Sequence, residues 1–224
     1  MSDSEFALSV VMITLNEEGS IRSVVEQIRQ VVEKSEILIV DSSSDRTAEI
    51  ASQIGCRVIR QLPAQGYGPA LGMALKNATG DVVVTMDCDN TYPAQAITRL
   101  VKEIEAGYDL VSASRLISRP PAMPLSNYLA NLIFAKLAGI VCGVKTTDVH
   151  TGMRAYRKSL IESFAFDVNG MALPVELLVG PVSEGYKYKE IGIEYFERTG
   201  QSKLRPLAGT YWTLRRLWKW RRRR

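Results

Sequence analysis

Strands and helices alternate along the first half of this 224-residue chain. That alternation predicts an α/β fold, a mostly parallel sheet flanked by helices. Three observations carry the prediction. Residues 8–15 (LSVVMITL), 36–40 (EILIV) and 82–86 (VVVTM) are short apolar runs, as strands buried on both faces require. Between them, Ile21, Val24, Val25, Ile28, Val31 and Val32 recur at helical spacing. Each of the three runs also leads into acids: Glu17, then Asp41, then Asp87 with Asp89.

Local signals place the other elements. Ser20 stands where a cap for the first helix belongs, and Asp45 where one belongs for a helix over 46–54, which Gly55 ends. Residues 56–60 read as a third short strand, and Gly66-Tyr67-Gly68-Pro69 opens a helix over 70–78. After the Asp87/Asp89 strand come a helix over 93–106 and a strand over 110–113. Three prolines between Arg119 and Pro124 make a loop. Residues 125–141 form a long apolar helix, suited to a buried or an interfacial position. A polar loop from Asp148 to Gly152 runs into a short strand. Leu173 starts a helix that carries Glu176, and residues 188–196 read as a last strand.

Composition narrows the class. Apolar residues make up 46% and charged residues 23%, as in ordinary globular proteins. No uninterrupted, uncharged apolar window reaches membrane-spanning length. The acidic, polar start is unlike a secretory signal. Cys56, Cys88 and Cys142 are odd in number and widely spaced, which fits a reducing cytosol and no structural zinc. Residues 215–224 hold seven cations and no acid, so the formal charge of +4 less seven leaves the body at −3. The basic character is local, which argues against nucleic acid as partner and for one basic patch meeting an anionic surface.

Asp87 and Asp89 lie one residue apart at the carboxyl end of a buried strand, where α/β sheets bind ligands. Two converging hard oxygen donors suit Mg²⁺ or Mn²⁺ carrying substrate phosphates. Acids gathered at neighbouring strand tips repel unless a cation or ligand donors offset them. The single histidine, His150, reads as a hydrogen-bonded structural group rather than a ligand. Arg198-Thr199-Gly200-Gln201-Ser202-Lys203 is a polar glycine turn with two cations, fit to grip a diphosphate.

Seven segments in order, TLNEE, IVDSSSDRT, GYGPALGMAL, GDVVVTMDCDNTYP, SASR, DVHTGMRAY and RTGQSKL, give the chain a resemblance. It resembles the family 2 glycosyltransferases with the GT-A fold, in the branch that includes the dolichyl- and polyprenyl-phosphate glycosyltransferases. The resemblance implies a catalytic domain over 1–207 and a nucleotide-sugar donor, GDP- or UDP-linked. It places Glu17 and Asp41 at the nucleoside, and Asp87 and Asp89 at the metal-held diphosphate. Arg115, Arg198, Ser202 and Lys203 would surround the phosphates. Asp148, Arg154 and Glu176 would line the sugar and acceptor side. The family usually has Pro and Tyr where Ile13 and Leu15 stand, a second Asp at Ser42, and often Gln at Thr91, so the base stays open.

Asp89, Asp148, Glu176 and Arg198 are the candidate catalytic residues. The reaction expected is inverting transfer of a hexose to a polyprenyl phosphate, whose oxygen is already ionised. A hydroxyl acceptor would instead need a base, with Asp148 and Glu176 as candidates. A non-catalytic nucleotide-binding module recruited to membranes is the remaining alternative.

Residues 208–224 interleave Tyr211, Trp212, Trp218 and Trp220 with cations, and Leu207, Tyr211, Leu214 and Trp218 share one helical face. This tail is expected to hold a cytoplasmic protein peripherally on an anionic membrane face. Its deletion is expected to release the protein from membranes and leave the fold intact.

Overall fold

The structure is a computed structural model that describes residues 6–200 and 206–221. In chain order the elements are β1 (Leu8–Thr14), α1 (Ile21–Val31), β2 (Glu36–Asp41), α2 (Thr47–Gln53), β3 (Arg57–Arg60), α3 (Tyr67–Asn77), β4 (Val82–Thr85) and α4 (Ala96–Glu105). There follow β5 (Leu110–Ser114), α5 (Leu125–Cys142), β6 (Arg154–Arg157), α6 (Lys158–Ser163), α7 (Leu173–Ser183), β7 (Tyr188–Gly192) and α8 (Pro206–Lys219). One seven-stranded sheet runs in the order β3-β2-β1-β4-β6-β5-β7. All pairings are parallel except those of β6, which is antiparallel to both β4 and β5.

The apolar runs explain the layers. Val10 and Met12 on β1 turn to one face, where α1, α2 and α4 cover them, and Val11 turns to the other, under α3 and α5–α8. Burial on both faces is why these strands read as continuous apolar runs rather than alternating ones. Gly80 lets β4 start close beside β1, because a Cβ there would lie 2.6 Å from the Ser9 nitrogen.

Several boundaries differ from the sequence reading for local reasons. Helix α3 begins at Tyr67, not residue 70, since Pro69 is tolerated within a first turn. Helix α4 begins at Ala96, after a turn in which Ala96 N–H donates to the Pro93 carbonyl at 3.0 Å. Strand β4 stops at Thr85, so Asp87 and Asp89 sit in a turn and not on the strand. Strand β7 ends at Gly192, and the chain then crosses the strand tips.

Two helices of the second half, α5 and α8, expose much of their apolar surface, whereas the apolar α7 is buried. Helix α5 is long and apolar enough to cross a membrane, yet only 17% of it is buried. Leu125, Leu129, Ile133 and Ile140 are exposed along it. Helix α8 packs beside it, with Thr213, Arg216 and Leu217 buried. The stripe of Leu207, Tyr211, Leu214 and Trp218 points outward.

The inner face of α8 is held by charge. The Arg216 guanidinium pairs with the Asp167 carboxylate and reaches Glu176 Oε2 at 3.4 Å, and Lys219 Nζ donates to Glu176 Oε1 at 2.5 Å. Arg216 and Glu176 are fully buried. The expectation that removing the tail leaves the fold intact is therefore corrected: its loss would strand a buried carboxylate and uncover apolar core. Replacing Arg216 with Met should destabilise the fold by about 3 kcal/mol in urea melts, the usual cost of breaking a buried pair from one side. An unchanged midpoint would show that this pair does not hold α8.

Candidate active site

The tips of β1, β2 and β4 bring the acids to one edge of the sheet. Asp87 and Asp89 lie in the turn that follows β4, and local bonds fix that turn. Asp89 Oδ1 accepts from the Thr91 amide at 3.1 Å and the Thr91 hydroxyl at 2.6 Å. Asn90 adopts a left-handed φ of 63°, which Asn tolerates better than most residues. Its Oδ1 accepts from Ser23 and Gln27 of α1. Ser20, expected as a helix cap, makes no capping bond; its hydroxyl donates to the Cys88 carbonyl at 2.6 Å and ties the turn to α1.

The electrostatics record the convergence. Asp87 has its pKa pushed up to about 6, first by burial and then by the neighbouring Asp89 charge. Glu17 adds to that push, whereas Arg115 and Arg198 oppose it. Three of the acids read from the sequence thus share one cleft with two of the cations. The Arg198 guanidinium meets Asp89 Oδ2 at 2.5 Å. Its loop lies over the turn through Phe196 N–H to the Thr91 carbonyl and Thr199 N–H to the Asp89 carbonyl. Gly152 closes the other side, where a Cβ would stand 2.7 Å from Asp87 Oδ2.

This donor set fits a divalent cation. Two hard carboxylates lie together, and burial and the Asp89 charge make Asp87 hold its proton more tightly than usual. Among the described residues no group of three or more His, Cys, Asp and Glu side chains could hold a metal. Asp87 and Asp89 would then supply the protein ligands, with phosphate and water oxygens supplying the rest, as is common for Mg²⁺.

The other predicted site residues are distributed less simply. Asp41 is fully buried, and its carboxylate accepts from the Thr14 hydroxyl, the Ser43 hydroxyl and amide, and Arg60. Asp148 is not a free base. It holds Arg115 by two bonds, Nε to Oδ2 at 2.7 Å and Nη2 to Oδ1 at 2.9 Å. Burial pushes its pKa up, but the Arg115 charge and hydrogen bonds outweigh that and keep it below the usual carboxylate range. Glu176, the other candidate base, is engaged by Lys219 and Arg216 in the anchor of α8. Arg154 is buried and structural, donating to Ser112, Val149 and Pro174. Ser202 and Lys203 lie outside the described residues.

Sequence reasoning missed Tyr92 and Tyr195. The Tyr92 hydroxyl accepts from the Gly152 amide at 2.8 Å. The Tyr195 ring meets Tyr92 edge-on and lies under the Arg115 guanidinium, 5.4 Å from its centroid. Both tyrosines read as ordinary apolar positions in the sequence, and only the folded loops bring them to Arg115.

Comparison with known proteins agrees with this geometry. Residues 9–164 match the family model described as Glycosyl transferase family 2. The chain is 43% identical over 203 residues to the dolichyl-phosphate hexose transferase of Haloferax volcanii, covering 90% of this chain and 88% of that protein. It is 33% identical over 213 residues to the low-salt glycan biosynthesis hexosyltransferase Agl6 of the same organism, covering 91% of this chain and 51% of that one. Among solved structures, glucosyl-3-phosphoglycerate synthase from Mycobacterium tuberculosis in complex with Mn²⁺, UDP and phosphoglyceric acid superposes with a TM-score of 0.74. That match has 25% identity and covers 96% of this chain and 78% of the other. With its mostly parallel sheet, its acids at the strand tips and these relatives, the chain belongs to glycosyl transferase family 2 and is a glycosyltransferase of the GT-A fold.

Proposed function

We propose that the enzyme transfers a hexose, with inversion, from a nucleotide-sugar to a polyprenyl phosphate, and that it depends on a divalent cation. One observation carries the choice of acceptor. Both carboxylates that could have served as base toward a hydroxyl are committed to cations, Asp148 to Arg115 and Glu176 to Arg216 and Lys219. A phosphate monoester needs no base, since its second pKa is near ~6 and its oxygen is ionised at neutral pH. The dolichyl-phosphate hexose transferase named above supports the same acceptor class.

The chemistry follows from the placed charges. A phosphate oxygen of the acceptor attacks the anomeric carbon of the donor. The bond from that carbon to the donor diphosphate breaks, and the nucleoside diphosphate leaves with the electron pair. A bound divalent cation would stabilise the charge developing on that leaving group. Arg198, on the loop over Asp89, is placed to do the same from the protein side. Arg115, fixed by Asp148 and Tyr195, is placed to receive an acceptor phosphate. Asp87 and Asp89 would hold the cation, with Glu17 and the Asp41 tip toward the nucleoside.

Helices α5 and α8 supply the membrane side of this reading. Between them runs an open apolar groove of about 420 Å³, lined by Leu137, Val141, Tyr211, Leu214, Leu217 and Trp218, with Arg215 at its rim. Exposed Leu and Ile of α5 continue the apolar face. Arg215 and Arg221 flank it, and the Arg221 guanidinium covers the Trp218 ring at 4.4 Å. Arg216 and Lys219 are used inside the protein, so fewer cations face the lipid than the tail's composition suggests. A peripheral seat on an anionic leaflet suits this surface.

Three experiments test the reading. Purified protein with Mn²⁺ should move labelled hexose from a nucleotide-sugar to undecaprenyl or dolichyl phosphate and not to the corresponding alcohol. Transfer to alcohols or phosphoglyceric acid alone would sink the lipid-phosphate acceptor. Asp89→Asn should lower kcat at least 100-fold, in line with the loss of one group that stabilises the leaving charge, and chelation by EDTA should do likewise. Replacing Leu207, Tyr211 and Trp218 together with Ser should abolish sedimentation with phosphatidylserine vesicles and leave Tm within a few degrees, because all three are exposed. Retained sedimentation would remove α8 from the membrane contact.

A further inference from the structure

The segment from Asp148 to Gly152 joins three regions that the fold otherwise keeps apart. At one end Asp148 grips Arg115. At the other, Gly152 closes on Asp87 and donates its amide to Tyr92. In the middle, the imidazole of His150, the single histidine of the chain, leaves the site and enters the seam between α5 and α8. Its Nδ1 stands 3.0 Å from Asn131 Oδ1 on α5, and its Nε2 stands 2.8 Å from Thr213 Oγ1 on α8. The Phe134 ring of α5 meets it edge-on at 5.2 Å.

The hydrogen bonding sets the tautomer. Asn131 Nδ2 donates to the Asn127 carbonyl at 2.9 Å, which leaves Oδ1 as the acceptor facing His150. Nδ1 therefore carries the proton and Nε2 accepts from the Thr213 hydroxyl. Burial lowers the ring's pKa to about 4, although Asp148 opposes it, so the ring is neutral at neutral pH. The His150 amide also donates to Asp148 Oδ1 at 3.2 Å. Asp148 Oδ2 accepts from the Arg115 amide as well as its guanidinium. A continuous run of bonds thus leads from Thr213 and Asn131, through His150 and Asp148, to Arg115.

We propose that His150 is a positioning residue that transmits the seating of α5 and α8 to Arg115 through Asp148. This rests on the reading of Arg115 as the acceptor-phosphate residue and of α5 and α8 as the surface the acceptor arrives on. His150 touches neither substrate. It fixes the distance between the helices that meet the acceptor's membrane and the cation that meets its phosphate. A neutral ring that donates on one side and accepts on the other is suited to bolt two helices to one loop.

The test compares wild type with His150→Phe, which keeps the ring packing and removes both bonds, and with His150→Gln, which restores a donor and an acceptor. Hydrogen exchange is the readout that needs no activity. His150→Phe should speed exchange at least fivefold at the Arg115 and Leu116 amides as well as in α5 and α8, with β1 and β2 unchanged. In the transfer assay it should raise KM for undecaprenyl phosphate at least tenfold, while the Kd of UDP and of GDP with Mn²⁺ stays within twofold. His150→Gln should recover most of both effects, and Thr213→Val should reproduce the exchange at Arg115. Unchanged exchange at Arg115 in His150→Phe, or equal losses of nucleotide and acceptor binding, would overturn the proposal. Wild-type protein that transfers to no lipid phosphate overturns the acceptor reading instead, and the exchange experiment still reports whether His150 couples the helices to Arg115.

Discussion

Negative charge concentrated at the strand tips is the constraint on which this structure depends. The parallel strands β1 and β4 end side by side, and their loops put Glu17, Asp87 and Asp89 within electrostatic reach of one another. Desolvation alone would favour neutral carboxyls there. The fold answers with Arg115 and Arg198, each brought from the second half of the chain and each held by more than one contact. Burial and the Asp89 charge still leave the Asp87 carboxyl with its pKa raised, a push that the divalent cation proposed there would offset. The antiparallel β6 matters for the same reason. Inserted between β4 and β5, it delivers the Asp148–Gly152 loop beside the Asp87/Asp89 turn, which a simple parallel crossover would have carried elsewhere.

A second concentration of charge organises the opposite side of the molecule. Glu176 lies inside an apolar helix and is fully buried, so α7 is stable only with cations against it. Arg216 and Lys219 provide them from α8. With Arg216 turned inward beside Leu217, Leu207, Tyr211, Leu214 and Trp218 are left on the outer face of α8. An amphipathic helix on an ordinary globular protein is oriented the other way, apolar face to the core.

The parallel half of the fold was legible because its strands are buried on both faces and its helices carry a clean 3.6-residue period. The Asp87/Asp89 turn and the Arg198 loop could be picked out as well, since charged residues next to buried strands or glycine turns stand out in sequence. The roles of Asp148 and Glu176 were not legible. Asp148 stands in a polar loop and Glu176 in an apolar helix, and only the fold shows which cation each faces. Ser20 illustrates the same limit on a smaller scale. Its position predicts a cap, yet its hydroxyl goes to Cys88, a partner 68 residues away. Tyr92 and Tyr195 escaped assignment because long-range contacts, not local pattern, give them their work; His150 read as a hydrogen-bonded structural group, and the fold adds its partners Asn131 and Thr213.

The choice of nucleobase was illegible for a more specific reason. Asp41 was expected to meet the nucleoside, and a carboxylate offers about four lone-pair sites. Thr14, Ser43 twice and Arg60 already take four hydrogen bonds to it. A ligand donor can reach Asp41 only by displacing one of them, and Ser42, standing where relatives usually carry a second acid, offers no carboxylate in its place. The unspent hydrogen-bonding capacity at this end of the sheet lies next door. Gln61 is 3% exposed, neither atom of its carboxamide has a partner, and its amide donates to the Asp41 carbonyl at 2.8 Å. A buried polar group left in that state costs about 1–3 kcal/mol per atom. Nothing in the sequence marks Gln61, since a glutamine after a short edge strand is unremarkable until the fold buries its side chain.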